Sequence, residues 1–191
     1  MANYNAIKYD GFSKGSTTLL STVTASSSAT IDFTSGIDST YKEYLFIYNN
    51  IHPATDSTIF QVNFRDGSTD FDATKTTTYF YSYIAEDNTE TGVVYYATGD
   101  LAQSTAAAPL SYSVGNGNDE SVSGYLHLFN PSSTTYVKHF ISVNNVYHKS
   151  NFTQNRHVAG YCNVTAAIDG AQFSMSSGNI DAGTIQLIGI T

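Results

Sequence analysis

The chain has 191 residues, 41% of them apolar, enough for one domain with a full core, since a domain of about 150 residues already buries roughly 70% of its unfolded surface. Sixteen acidic residues against eight basic ones give a net charge of −8, and the cations are scattered singly, which argues against nucleic acid as a partner. No run of about 18 apolar residues occurs, so membrane insertion is not expected.

The N-terminal "MANYNAIKYDGFSKGSTTLL" lacks the basic and apolar regions of a signal peptide, so assembly in a cytoplasm is expected, and residues 1–17 read as an extended N-terminal arm. Next come two short strands, "TTLLSTVT" and "SATIDFT". In "DSTYKEY", Asp38 or Ser39 could cap one short helical turn. "KEYLFIYNNI" places Tyr44, Phe46 and Tyr48 on one face and Leu45 and Ile47 on the other, as in a central strand. "STIFQVNFRDG" alternates Phe60, Val62 and Phe64 with Gln61, Asn63 and Arg65, a half-buried strand forming a hairpin with the one before it across "HPATD".

"TTTYFYSYI" alternates Tyr79, Tyr81 and Tyr83 with Phe80, Ser82 and Ile84. Tyrosine has an apolar body and a polar tip, so these three, with Tyr95 and Tyr96, form a candidate contact surface as readily as ordinary cross-strand packing. Residues 86–120 read as long loops around two weak strands, "GVVYYAT" and "PLSYSVG", and shortening "DLAQSTAAAPL" is expected to leave folding intact. Further strands follow in "SVSGYLHLFN", in "TTYVKHFISVNNVYH" with Val137, His139, Ile141 and Val143 in alternation, in "RHVAGYCNVTAAI" and in "AQFSMSS". "TIQLIGI", apolar on both faces, is expected to insert between other strands. The whole reads as a single all-β domain over 1–191, a two-sheet antiparallel jelly-roll-like β-sandwich of about eight to ten strands.

Catalytic signatures are missing: there is no nucleophile elbow, phosphate loop, CxxC or HExxH, and no cofactor is expected. "SVGNGNDES" reads as a plain loop and Cys162 as a small buried side chain. The histidines at 52, 127, 139, 148 and 157 lack the short spacing of a zinc set, and no metal site is assigned. Asp66, Asp70 and Asp72 offer three oxygen donors for calcium, but without the closing glutamate of a helical calcium loop they read first as a turn. Glu86, Asp87 and Glu90 are the acids closest to a glycosidase pair and read as solvated.

The order "IKYDGFSKGSTTLLSTVTASSSATIDFTSGIDSTYKEYLFIYNNIHPATD", the "FRDG" turn, "TKTTTYF" and the final "GTIQLIGI" resemble small β-rich virion structural proteins of tailed phages of marine and cyanobacterial hosts (cyanophage type). The resemblance implies a non-enzymatic virion surface protein: a capsid decoration protein, or a head, tail or tail-fibre appendage. It would be a homo-oligomer, by expectation a trimer, touching other virion proteins and located on the virion. The alternative is a carbohydrate-binding host-adhesion module taking a surface glycan, and a third reading is a glycan-degrading enzyme.

Overall fold

The computed structural model describes residues 16–191; of the expected N-terminal arm, residues 1–15 lie outside the described residues. Among the described residues twelve strands follow one another: β1 (Thr17–Thr24), β2 (Thr30–Phe33), β3 (Glu43–Pro53), β4 (Thr58–Arg65), β5 (Lys75–Ala85), β6 (Thr91–Tyr95), β7 (Ala108–Val114), β8 (Val122–Phe129), β9 (Lys138–His148), β10 (Phe152–Cys162), β11 (Gly170–Met175) and β12 (Ile180–Ile190). Every strand segment named from the sequence forms, the two weak middle ones included, so the number exceeds the expected eight to ten. The one helical element among the described residues is a 3₁₀ turn at Ala97–Gly99. "DSTYKEY" forms no helical turn: the chain bends until β3 begins at Glu43, with the Asp38 carboxylate accepting from the Thr40 N–H at 2.7 Å.

All strand pairings are antiparallel. Eight strands run side by side as β1-β12-β3-β8-β9-β10-β5-β6. Four more run as β7-β4-β11-β2. The two runs touch at one register pair, Val114 of β7 with His148 of β9, and Ser28 just before β2 bridges to Ile180 of β12. The sheet therefore curls round and nearly closes into a barrel-like shape.

The short run lies over β3 and β9. Phe60 of β4 meets Tyr48 of β3 at 5.2 Å between ring centroids, Phe173 of β11 meets Phe46 at 5.4 Å, and Phe64 of β4 meets Phe140 of β9 at 5.1 Å. Such edge-to-face and tilted contacts are favoured by the ring quadrupoles. Strict alternation in β4 puts Thr58, Phe60, Val62 and Phe64 inside, as its sequence predicts. The final strand β12 is held between β1 and β3 with Ile185 and Leu187 fully buried, also as predicted.

Three expectations are corrected. β3 and β4 are not a hairpin: β3 pairs with β12 and β8, β4 with β7 and β11, so "HPATD" carries the chain from one run to the other. The middle segment is not free loop: Ala108, Leu110, Ser111 and Val114 of β7 are fully buried, and the Thr77 N–H donates to the Leu101 carbonyl at 2.9 Å. Low apolar density hid this, because small residues suffice where backbone meets a covered sheet. In β9 the alternation is inverted: Lys138, Phe140, Ser142, Asn144 and Val146 face inward, while His139 and Ile141 are exposed.

Candidate functional site

That inversion in β9 gives the two faces of the β8-β9-β10-β5-β6 region their character. Side chains directly opposite in register share a face. Reading across the inner face, Tyr48, Gly124, Asn144, Arg156, Tyr81 and Val94 form one row. Gly124 is required here, since a Cβ would meet the Val143 carbonyl oxygen at 2.3 Å.

Polar groups on this face are mostly bound by other polar groups. The Tyr48 hydroxyl and Ser142 Oγ lie 2.8 Å apart, and Asn144 Nδ2 donates to the Leu110 carbonyl at 3.0 Å. Burial pushes the Tyr48 phenol far above its ordinary range. At the far end Lys138, Cys162 and Lys75 sit opposite one another in register. Lys75 Nζ donates to the Ala106 carbonyl at 2.8 Å and Lys138 Nζ to the Val164 carbonyl at 2.7 Å, so each ammonium pins a connecting segment. Burial lowers Lys75 to about 8 and raises the Cys162 thiol to about 12 despite the two cations beside it. Cys162 is an inert core thiol, in line with its sequence context.

The guanidinium of Arg156 lies among tyrosines. Its Nη1 donates to the Tyr79 hydroxyl at 2.7 Å, its Nη2 donates to Gln154 Oε1, and its Cζ lies 5.5 Å from the Tyr81 ring centroid. Burial lowers its pKa, opposed by the neighbouring Tyr79. A cavity of about 170 Å³ beside it is lined by Tyr81, Tyr96, Tyr112, Ser113, His148, Gln154 and Arg156 itself. Burial, then the charges of Arg156 and Lys149, lower His148 to about 4, so the imidazole is neutral near pH 7.

The outer face is different. Ile47, Tyr125, Val143, His157, Phe80 and Tyr95 form a row across six strands. The His157 and Phe80 rings stack at 4.8 Å, nearly parallel. One row over, Leu45, His127, Ile141, Ala159 and Thr78 lie in register; on the other side come Ser123, Asn145, Asn155, Ser82 and Val93. Phe80 is 43% exposed, Tyr95 64% and Val93 77%.

The tyrosines singled out from sequence are thus divided between the faces. Tyr79 is fully buried, Tyr81 and Tyr83 are half-buried on the same inner face, and Tyr96 packs against Tyr79, Tyr81 and Tyr112. Tyr95 alone points outward, its hydroxyl bound to Asp100. Sequence reasoning passed over Arg156 as one of the scattered cations. The signal was present: Arg156 is in phase with Val158 and Cys162, both buried.

Among the described residues no three His, Cys, Asp or Glu side chains are grouped to hold a metal ion, so Asp66, Asp70 and Asp72 are not brought together. The Asp66-Gly67 pair bends the chain after β4 with Gly67 at φ +89°, but it closes no hairpin, since β4 pairs with β7 and β11 and β5 with β10 and β6. The histidines are spread out, His127 lying 2.9 Å from Glu43 and His52 3.8 Å from Asp181. Glu86 and Asp87 sit in the exposed β5–β6 connection, where the Thr89 N–H and hydroxyl donate to Asp87 and hold its carboxyl below the usual range. Among the described residues no helix is long and apolar enough to cross a membrane. No protein-family model and no curated protein sequence matches the chain.

Proposed function

We propose that the protein is a non-enzymatic structural protein of a virion surface, of the phage type that its sequence resembles, which assembles with further copies of itself through the outer face of the long sheet. On this reading the barrel-like body is a jelly-roll-like sandwich, and the assembly is a cyclic trimer that also touches other virion proteins. The observation that carries it is the outer row of Tyr125, Val143, His157, Phe80 and Tyr95, in which Tyr125, Phe80 and Tyr95 are exposed and Val143 and His157 are half-buried between them. Contiguous exposed apolar surface of this kind marks interaction sites. A second copy is the favoured occupant because the rows themselves contain no acidic residue and the two carboxylates beside them, Asp100 and Glu43, are engaged by Tyr95 and His127, so two chains of net charge −8 meet there with little repulsion.

Sedimentation of the parent and of Phe80→Ser/Ile141→Ser tests this. A trimer that dissociates in the double variant is expected; a parent that stays monomeric at micromolar concentration and on raising it tenfold overturns it. A map of intact particles would locate the chain.

A second reading, a carbohydrate-binding adhesion module, is favoured by one further feature. Asn145, Asn155 and Ser82 border the stacked His157 and Phe80, with a shallow cleft between β5, β6 and β10. Aromatic faces beside amides suit neutral sugar rings, and glycan-array binding lost in Phe80→Ala would support it.

A further inference from the structure

We propose that the inner-face cavity beside Arg156 is a binding site for a carboxylate-bearing sugar of the hexuronate class, with Arg156 as its anchor. The site stands on the opposite face of the sheet from the assembly surface, and the inference goes beyond that reading.

Arg156 is 2% exposed, and its side chain is bound only by neutral groups, the Tyr79 hydroxyl and the Gln154 amide oxygen. Its Nε has no hydrogen-bond partner. None of the ion pairs among the described residues involves it. A buried cation without a counter-charge is strongly unfavourable, and an apolar side chain of similar volume would hold the strand better. Buried unpaired charges concentrate where a ligand completes them.

The cavity fits that role. No acidic residue lines it, and His148 is neutral near pH 7, so a single positive charge faces the space within a chain of net charge −8. Arginine carries five N–H donors in one plane, of which two are used by Tyr79 and Gln154. A planar carboxylate matches what remains and is neutralised by one guanidinium, whereas a phosphate dianion would leave excess charge between tyrosines. The half-buried Tyr81, Tyr96 and Tyr112 supply aromatic walls against which the C–H face of a pyranose can rest, and Ser113 and Gln154 supply polar edges for its hydroxyls.

The test is calorimetric titration of the full chain with galacturonate and glucuronate, alongside galactose, acetate and inorganic phosphate, with thermal melting in parallel. Expected are saturable uronate binding with a rise in melting temperature, no response to galactose, and weaker binding of acetate, which lacks the ring. Arg156→Gln and Arg156→Lys should weaken uronate by at least about tenfold, because lysine keeps the charge but not the fork. If the Arg156 variants fail to fold, Tyr96→Ala, at a half-exposed wall position, decides in their place and should weaken uronate similarly. Absence of uronate binding at millimolar concentration, equal binding of galactose, tighter binding of phosphate, or unchanged binding in the folded variants would overturn the proposal.

Discussion

The two halves of the long sheet solve burial differently. Under β12, β3 and β8 the interior is aromatic: Phe33, Phe46, Tyr48, Phe60 and Phe173 interlock beneath β4 and β11. Under β10 and β5 the cover is only the 97–114 segment, and the interior holds Lys75, Thr77, Tyr79, Gln154 and Arg156. Where a full layer of strands covers the sheet, apolar packing supplies stability. Where a connecting segment covers it, long polar side chains reach backbone carbonyls and each other, and a cavity remains. The first half is packed throughout, and the second keeps the cavity beside Arg156.

The largest expected effect falls in the scaffold. Deleting residues 180–191 removes the strand that partners both β1 and β3. Ile180, Ile185 and Leu187 are fully buried, each contributing roughly 1.5–3 kcal/mol against a typical total of about 5–15 kcal/mol. The truncated chain should show no cooperative melting transition by circular dichroism. Phe173→Ala, at the meeting point of Phe33, Phe46, Tyr48 and Phe60, should cost about 3–5 kcal/mol in urea unfolding.

In the other half the effects should be smaller and more chemical. Tyr79→Phe removes the hydroxyl that accepts from Arg156 and should cost about 1–3 kcal/mol, read from the denaturation midpoint. His148 sharpens the contrast through pH. Its folded pKa is depressed to about 4 from 6.5, so between these values the unfolded chain takes up a proton that the native chain does not. Stability should therefore fall as pH drops from 6.5 to 4, and His148→Gln should flatten that part of the curve; an unchanged pH profile would break the assignment. Smallest of all, Phe80→Ser on the outer face should shift monomer stability by only about 0.5 kcal/mol while altering sedimentation.

Shortening residues 100–110 is also informative, because its outcome differs from what composition suggests. Leu110 is fully buried, and the Ala106 carbonyl accepts from Lys75. The shortened chain should melt well below the parent, since it loses the start of a cover strand and leaves an ammonium unpaired. A melting temperature equal to the parent's would mean that this half needs no lid at all.

Strand alternation was legible wherever the buried side chains are themselves apolar. β4 and β12 could be placed, and β3 recognised as central, because Phe60, Val62, Phe64, Ile185, Leu187, Tyr44 and Phe46 announce their faces. β9 could not, because its inward positions include Lys138, Ser142 and Asn144, and its outward ones include Ile141 and Val143. Hydrophobic period alone selects the wrong face there, since inward polar groups are tolerated only when partners on other strands satisfy them. Tyr79, Tyr81 and Tyr83 were recognisable as one face, but not as the face turned toward Arg156.

The sequence by itself determined the all-β class, the antiparallel alternation, the near-absence of helix among the described residues and the buried last strand, because these follow from local period, turn residues and apolar content. Only the tertiary structure decided that β3 and β4 part company, that a small-residue segment covers the sheet, and that Arg156 is enclosed by tyrosines beside a cavity. These depend on which strands become neighbours over long chain separations, and a buried cation is recognisable only once the groups around it are in place.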